Sequence, residues 1–348
     1  MEKTYLPRLQ DLKRLAADLP RTRFMALARI EALIRMNMGW EALQYDQALS
    51  EHPFALTHAL VERAIGDLEA ARKIAFCDGG LPLDHDPREQ TMEEEHQDLF
   101  QSLWTQFDAD QYRDRITRYD DRLRFNGLEK GAFEGMRIVD MGCGHGNFDH
   151  ALLNAGAAEV VGVDYGSDSI RYAEAARDKL GVAESRLRFI HATVYDVPEQ
   201  SGSFDAAVQN GVFHHLDDED RAYREMHRLL KPGGIAWIYT EGEGSIARDL
   251  FHVSVQILAD VPAKLVQDHL AHLGFSINKR YHLGDGLKAV YRATSWANIT
   301  GRLEAIGFGD FKRLIGGFDT DLDVTDADPY AAEKFGEADI RILATKLA

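Results

Sequence analysis

The most constraining feature of this sequence is a glycine turn that directly follows a short apolar run. Met136, Ile138 and Val139 form the run, and residues 140–146 then read DMGCGHG. Alanine and leucine recur after the turn at helical spacing, so residues 137–157 are predicted to form a strand, a turn and a helix. Glycines at alternate positions let the backbone turn sharply and let a ligand approach where a Cβ would block it. The N–H groups that open the helix then face that ligand.

The spacing of these glycines differs from that of the dinucleotide-binding fingerprint. That fingerprint spaces its glycines as G-x-G-x-x-G and seats a pyrophosphate, whereas this turn reads D-x-G-x-G-x-G. Asp140 is the discriminating residue, because a carboxylate beside the turn repels a pyrophosphate but suits an ammonium group. The turn therefore predicts a cationic ligand that carries an amino acid group.

A second apolar run, residues 160–163, ends at Asp164. A carboxylate at a strand end is placed to accept both hydroxyls of a ribose. Together with the glycine turn, this acid resembles the class I S-adenosylmethionine-dependent methyltransferases, whose first motif has the form D/E-x-G-x-G-x-G. The resemblance covers roughly residues 120–348 and implies that S-adenosylmethionine is the cofactor and S-adenosylhomocysteine its product. It assigns cofactor binding to Asp140, Gly142, Gly144, Gly146, Asp164, Tyr165, Thr193, Val194 and Asn210.

Strand and helix patterns alternate from Arg137 onward, which indicates an α/β sheet with helices on both faces. The predicted fold is a seven-stranded Rossmann-like methyltransferase sheet with an N-terminal helical region and a helical insertion that covers the substrate pocket. The later strands are expected at residues 187–191, 204–209, 235–240, 311–315 and 340–345. Lys231-Pro232-Gly233-Gly234 is expected to be a turn before the fifth strand.

The predicted division places a helical region at residues 1–115 and the methyltransferase domain at 116–348, with 244–297 as the inserted cover. Residues 81–88, rich in proline and aspartate, are expected to form a surface linker. The N-terminal region carries no chemical motif, so its simplest interpretation is helices that pack on each other or on a second subunit. The alternative is a lid whose aromatic rings lie over the cofactor or enclose the substrate: Trp104, Phe107, Tyr112 and Tyr119. Most of the neighbouring arginines are expected to be solvated: Arg113, Arg115, Arg118, Arg122 and Arg124.

Two polar positions follow the third and fourth strands. Thr193 stands where many relatives place an Asp that contacts the adenine amino group, so its hydroxyl and the Val194 N–H are the adenine contacts, with Asp196 as an alternative. Asn210 ends the fourth strand, where open parallel sheets bind ligands. The segment after this strand lacks the N-P-P-Y form associated with amino-group methylation of nucleic acids or of protein glutamine.

His214 and His215 are the candidate general bases, because an imidazole with a near-neutral pKa removes a proton from a hydroxyl or an amine. The alternative is a pair of histidines that only bond the backbone. The pair has no evident further ligands, so no metal site is predicted. Residues 319–328 resemble a calcium loop but lack its central glycine and terminal Glu, so an acidic solvated loop is expected. The candidate substrate-binding residues are Tyr119, Glu241, Tyr281, His282, Tyr291 and Arg292.

Charge and composition restrict the acceptor. The formal net charge of -17 disfavours a nucleic acid partner, because binding to phosphates needs clustered Lys and Arg. The chain has two cysteines, Cys77 and Cys143, too few for a disulfide framework, and no uninterrupted apolar stretch that would span a membrane. Residues 1–18 are charged throughout and lack the apolar stretch of a signal peptide, so a cytoplasmic location is expected, with a homodimer through the N-terminal helices as one assembly.

The predicted function is methyl transfer to a small-molecule acceptor. The sulfonium methyl is intrinsically electrophilic, so the protein mainly aligns the nucleophile and excludes water. One alternative is a methyltransferase of protein or RNA, which would dock its substrate on the N-terminal helices. Another is a partner subunit that binds the cofactor without catalysis.

Overall fold

The computed structural model of this protein describes residues 2–78, 81–83, 109–316 and 328–348. Trp104 and Phe107 lie outside the described residues, as do most of the expected linker at 81–88 and nearly all of the acidic loop at 319–328. None of the helices that the structure describes is both long and apolar enough to cross a membrane.

The secondary structure follows the sequence pattern closely. The helices, in chain order, are α1 (Leu6–Ala17), α2 (Arg23–Gln44), α3 (Pro53–Asp78), α4 (Ala109–Phe125), α5 (Asn147–Asn154), α6 (Ser167–Lys179), α7 (Glu219–Leu229), α8 (Ile246–Ile257), α9 (Ala263–His272), α10 (Ile277–Lys288), α11 (Trp296–Ile306) and α12 (Ala331–Phe335). The strands are β1 (Arg137–Met141), β2 (Glu159–Asp164), β3 (Leu187–His191), β4 (Phe204–Asn210), β5 (Leu230–Glu241), β6 (Phe308–Leu314) and β7 (Asp339–Lys346).

The chain forms two compact units. The first, called here the helical unit, contains Met1–Phe100, Glu243–Tyr291 and Thr325–Glu337, and the second, the sheet unit, contains Gln101–Gly242, Arg292–Val324 and Ala338–Ala348. This division differs from the predicted one: the boundary expected after residue 115 lies inside α4, and residues 243–291 group with the N-terminal helices.

The helical unit has one apolar core, to which α1, α2, α3, α8, α9 and α10 all contribute. Leu9, Leu12 and Ile30 are buried there beside Leu250 and Val266. This shared core is the physical reason that 243–291 belongs with the N-terminal helices. Helix starts in this unit are fixed by hydroxyl caps that accept a backbone N–H: Thr22 on α2, Ser245 on α8 and Ser276 on α10.

A lysine of a buried ion pair in the last segment of the helical unit also bonds the loop after α2. Lys334 Nζ lies 2.8 Å from Asp328 Oδ2 and also donates to the carbonyl oxygen of Asp46 at 2.8 Å. The side chains of Lys334 and Asp328 are 0% and 4% exposed. Removing one partner therefore leaves a charge buried without compensation.

We expect Lys334→Met to lower the free energy of unfolding by roughly 3–5 kcal/mol, because Asp328 then remains buried without its counter-ion. Urea titration followed by circular dichroism measures the loss. Adding Asp328→Asn should restore part of the stability. Lys264→Met, which removes the exposed pair with Asp268, is the matched control. A Lys334→Met variant as stable as this control would contradict the assignment.

The sheet unit contains a seven-stranded sheet in the order β3-β2-β1-β4-β5-β7-β6. β1 to β5 run parallel, and β7 pairs antiparallel with both β5 and β6. The predicted seven-stranded α/β fold with a terminal β6–β7 hairpin is therefore confirmed. The carboxyl ends of β1, β2 and β4 lie at one edge, where such sheets bind ligands.

The predicted turn at residues 231–234 is instead an irregularity inside β5. The pairing of β4 with β5 jumps from Phe204↔Leu230 to Ala206↔Ile235, so the four residues bulge from the ladder. Gly233 has φ 77°, which favours glycine in this bulge. The strand therefore begins before the residues that were expected to form a turn.

Side chains of β1 alternate between two cores on opposite faces of the sheet. Ile138 packs in the core shared with α4 and α5, whereas Val139 and Met141 pack in the core shared with α7 and α11. Because strand side chains alternate with a period of two, Asp140 lies on the same face as Ile138, toward α4 and α5.

Candidate cofactor site

The three glycines of the turn serve two different purposes. Gly142, Gly144 and Gly146 have φ angles of 97°, 52° and 77°, in the left-handed region that favours glycine. A Cβ on Gly142 would lie 2.5 Å from Val212 Cγ2, and one on Gly146 would lie 2.7 Å from Phe189 Cζ. A Cβ on Gly144 would meet no atom of the described chain within 4 Å. Gly142 and Gly146 thus permit close packing, whereas Gly144 borders open space.

Asp164 binds the backbone on two sides. Its Oδ2 accepts the Gly144 N–H at 2.9 Å, and its Oδ1 accepts the Gly166 N–H at 2.8 Å, just before α6 begins. Burial raises the pKa of Asp164, and the two backbone hydrogen bonds and the nearby His191 oppose that rise. A carboxylate oxygen has a second lone pair, so both oxygens remain able to accept a ligand hydroxyl. The structure thus brings Asp164 and the glycine turn together as predicted.

Tyr112 of α4 anchors that helix to the turn. Its hydroxyl donates to the His145 carbonyl oxygen at 2.7 Å, and Asn147 Nδ2 donates to the Tyr112 carbonyl oxygen at 3.3 Å. Tyr112 is buried, and burial raises the pKa of its hydroxyl. The lid interpretation placed Tyr112 over the cofactor, but its hydroxyl is bonded to the backbone of the turn. Tyr119, about two turns further along α4, packs its ring against Phe148 with 5.0 Å between the ring centroids.

Two carboxyl groups are buried beside the turn. Asp140 is 2% exposed and Asp149, in the first turn of α5, is 0% exposed. Burial, reinforced by the charge of Asp164, raises the pKa of Asp140 to about 8. Burial and the neighbouring Asp140 raise the pKa of Asp149 well above its usual range. Sequence reasoning missed Asp149, although its position in the helix that packs on the Asp140 face was a usable signal.

The residues predicted to contact adenine follow β2 and β3. Tyr165 is exposed, and its carbonyl oxygen lies 2.8 Å from His191 Nε2. The Thr193 hydroxyl oxygen accepts the Tyr195 N–H at 3.3 Å, which leaves its O–H free to donate. Val194 is buried in the core on the α7 side. Cofactor contacts of these three residues stay a prediction.

Asn210 lies at the end of β4 and is bonded by one of the five arginines of α4, most of which were expected to be solvated. Its Oδ1 accepts from Arg122 Nη1 at 3.1 Å. Arg122 is buried with its guanidinium 5.3 Å from the Tyr119 ring centroid, and burial lowers its pKa. A planar guanidinium stacks on aromatic rings, and this contact offsets part of the cost of removing the charge from water. Arg113, Arg118 and Arg124 are exposed, as expected.

The candidate bases lie in a short 3₁₀ turn, Phe213–His215, after β4. His214 and His215 are 2% and 7% exposed, with ring centroids 4.2 Å apart. Gln209, which sequence reasoning missed, holds this loop: its Oε1 accepts the N–H of Val212 at 3.1 Å and its Nε2 donates to the Tyr239 carbonyl oxygen at 2.9 Å. A general base must reach the proton that it removes, so the catalytic role of either histidine stays a prediction.

The six candidate substrate residues are divided between the two units. Tyr119, Glu241 and Arg292 belong to the sheet unit, whereas the other three belong to the helical unit: Tyr281, His282 and Tyr291. Glu241 is buried at the end of β5 and accepts the Tyr239 O–H at 3.1 Å. The Arg292 N–H donates to the His214 carbonyl oxygen at 2.9 Å.

In the helical unit, Tyr291 lies beside Asp285 and under the guanidinium of Arg248, which is 5.0 Å from its ring centroid. Burial raises the pKa of Asp285 to about 6. Substrate contacts of the six candidates stay predictions. Among the residues that the structure describes, no group of His, Cys, Asp and Glu side chains is arranged to hold a metal ion.

Residues 139–238 match the family described as "Methyltransferase domain". The matched segment contains the glycine turn, the acids Asp140 in β1 and Asp164 at the end of β2, and Asn210. This segment belongs to a methyltransferase domain family. The resemblance inferred from the glycine turn is therefore confirmed for this part of the chain.

Several named proteins are similar to parts of this chain. A mitochondrial ubiquinone biosynthesis O-methyltransferase of Dictyostelium discoideum is 28% identical over 36% of this chain and 41% of its own length. A fatty-acid O-methyltransferase of Mycolicibacterium smegmatis is 28% identical over 44% of this chain and 53% of its own. A solved S-adenosylmethionine-dependent methyltransferase of Mesorhizobium loti is 20% identical, with a TM-score of 0.42 over 64% of this chain and 95% of that chain. This chain spans between 26% and 53% of the length of these and similar curated relatives.

We expect Gly144→Ala to weaken cofactor binding at least about tenfold, because its methyl group enters the open space beside the turn, while the left-handed backbone costs only about 1–2 kcal/mol. Isothermal titration calorimetry with S-adenosylhomocysteine measures the affinity. Gly181→Ala is the matched control, since Gly181 has φ 72° and equally open surroundings. If both variants bind like the unaltered protein, the open space beside Gly144 is not the cofactor site.

Proposed function

We propose that this protein binds S-adenosylmethionine at the glycine turn and transfers its methyl group to a small-molecule acceptor. The observation that carries the proposal is the double hydrogen bond of Asp164 to the N–H groups of Gly144 and Gly166. It holds a carboxylate beside a glycine that borders open space. A ligand with a ribose and a cationic amino acid part fits this combination of groups.

Each part of the proposed site has its own task. Asp164 accepts the ribose hydroxyls, and Asp140 attracts the ammonium group. Asn210, with its amide held by Arg122, lines the methionine part. Thr193 and the Val194 N–H contact adenine, with Tyr165 beside them.

The chemical step needs little from the chain. The cofactor supplies an electrophilic methyl group, and the residues around it align the acceptor and exclude water. Where the acceptor is a hydroxyl or an amine, His214 or His215 is the proposed base. No metal is part of the proposal.

Two observations support a small acceptor over a macromolecule. The names of the Dictyostelium and Mycolicibacterium relatives refer to ubiquinone biosynthesis and to fatty acids. The net charge of -17 repels the phosphates of RNA and DNA. Methylation of protein or RNA and cofactor binding without catalysis remain as the alternatives that the experiment must separate.

Asp164→Asn tests the site. We expect it to weaken S-adenosylmethionine binding at least about tenfold, because an amide replaces one acceptor oxygen that faces both the backbone and the ribose hydroxyls. Calorimetry measures binding, and Asp268→Asn, a change at an exposed ion pair, is the control. Unchanged binding by Asp164→Asn would reject the site assignment.

The acceptor class is tested by transfer of a labelled methyl group. Purified protein and labelled S-adenosylmethionine are incubated with cell extract that has been separated by ultrafiltration. We expect the label to appear in the low-mass filtrate and to be lost with Asp164→Asn. Label only in the retained fraction would favour a protein or RNA acceptor. Cofactor binding without transfer to either fraction would favour a non-catalytic subunit.

The proposal also includes a cytoplasmic location and a homodimer formed through the N-terminal helices. The low cysteine count supports the location. Leu6 on α1 and Ile74 on α3 are exposed apolar side chains that support the interface. Light scattering should then give twice the chain mass of 39.1 kDa, and Leu6→Lys with Ile74→Lys should halve it. A single-chain mass for the unaltered protein would exclude the dimer.

A further inference from the structure

Gln209 is a fully buried amide one residue before the end of β4. Ala207 packs in the core shared with α7 and α11, and strand side chains alternate with a period of two, so Gln209 points to that same face. Asn210, the next residue, points to the opposite face, toward α4. A polar group buried at this depth is costly unless the protein supplies its hydrogen-bond partners.

Both ends of the Gln209 amide bond backbone groups. Its Oε1 accepts the N–H of Val212 at 3.1 Å and that of Phe213 at 3.4 Å, and its Nε2 donates to the Tyr239 carbonyl oxygen at 2.9 Å. N–H groups at the start of a helical turn have no carbonyl partner within it, and Phe213 begins the 3₁₀ turn that carries the two candidate bases. The amide therefore ties this turn, called here the histidine turn, to β5.

Val212, directly before the histidine turn, packs against the glycine turn. A Cβ on Gly142 would lie 2.5 Å from Val212 Cγ2 and 2.6 Å from its Cγ1, so only a glycine lets this side chain approach so closely. The N–H of the same valine is the one that Gln209 holds at 3.1 Å. Gln209 therefore fixes, through Val212, the place of the histidine turn beside the glycine turn.

Other hydrogen bonds hold the shape of the histidine turn. The His215 N–H donates to the Val212 carbonyl oxygen and the Leu216 N–H to that of Phe213, both at 3.0 Å. These bonds join residues of the turn to each other, so they would move with it as one body. The bonds of Gln209 instead join the turn to two strands, because the side chain starts on β4 and ends at β5.

We propose that Gln209 is a positioning residue for methyl transfer, whose amide holds the turn that carries His214 and His215 in a fixed place beside the glycine turn. This inference rests on the proposed function. Gln209 acts through the backbone of Val212 and not on the reacting atoms. A displacement of about 1 Å in a group near the chemistry can slow a reaction on the order of 100-fold. Cofactor binding depends instead on groups at the ends of β1 and β2, so it should be much less sensitive to Gln209.

Hydrogen exchange tests the arrangement without any ligand. Gln209→Met keeps the length of the side chain but removes the amide donor and acceptor. We expect the amides of residues 211–216 to exchange at least about tenfold faster in this variant, because the start of the turn loses its acceptor. Mass spectrometry of proteolytic fragments measures the rates. Gln267→Met removes another buried amide, which bonds the Arg280 carbonyl oxygen at 3.5 Å in the helical unit, and is the matched control.

The rate of transfer per binding site separates positioning from a mere loss of stability. Calorimetry with S-adenosylhomocysteine counts the sites, and labelled S-adenosylmethionine with the low-mass filtrate of cell extract gives the rate. We expect Gln209→Met to keep its affinity within about twofold and to transfer at least about tenfold more slowly per site. Gln267→Met should lose stability but keep its rate per site, because partial unfolding lowers only the number of sites.

Gln209→Glu is the second variant, used if Gln209→Met does not fold as judged by circular dichroism. Its carboxylate oxygens accept the N–H groups of the histidine turn, but they cannot donate to the Tyr239 carbonyl oxygen. The turn then keeps one of its two links, and we expect the rate per site to fall at least about threefold.

The outcomes are distinguishable. An unchanged exchange rate at residues 211–216, or an unchanged rate per site in the variant that folds, would overturn the role of Gln209 and leave the proposed function intact. Failure of the unaltered protein to bind S-adenosylhomocysteine, or to transfer label to the filtrate, would instead overturn the proposed function.

Discussion

The candidate site depends on the hydrogen bonds that join the ends of β1 and β2. The Gly142 and Cys143 N–H groups donate to the Val163 carbonyl oxygen at 2.8 Å and 3.0 Å. The next N–H, that of Gly144, donates to the Asp164 carboxylate. Parallel pairing of the two strands places these groups side by side. The left-handed turn is therefore fixed by the neighbouring strand before any ligand is present, which reduces the ordering that binding must supply.

The parts of the fold that local pattern determines were predictable. Apolar runs followed by turn residues gave all seven strands, and the glycine spacing with the two acids gave the family. The bounds of β5 differed because the signal of a turn does not distinguish a loop from a bulge within a strand.

Contacts between segments that are far apart in the sequence could not be predicted in the same way. Arg122 belongs to a helix that reads as polar and charged, and only the structure shows that one of its arginines is buried against Tyr119 and Asn210. The grouping of residues 243–291 with the N-terminal helices depends on a shared apolar core. An amphipathic pattern tells which face of a helix is buried, but it does not tell which helix covers that face.

The position of Asp149 on the Asp140 side of the sheet was predictable from the sequence. Strand alternation places Asp140 toward α5, and helix periodicity places Asp149 near the start of that helix. A carboxyl group in the first helical turn is ordinarily explained by the helix dipole. That explanation is sufficient for an exposed residue, and burial is what makes it insufficient here.

The division of the chain also bears on its synthesis. The polypeptide passes between the two units after residues 100, 242, 291, 324 and 337, so the helical unit lacks its last segment until residue 337 has been made. β7, which follows that segment, is inserted between β5 and β6 rather than added at an edge. On the ribosome, where domains generally form in order of emergence, neither unit is complete until its final residues emerge. The partner strand that joins β5 to β6 is therefore missing until β7, which follows both of them in the chain, has been made.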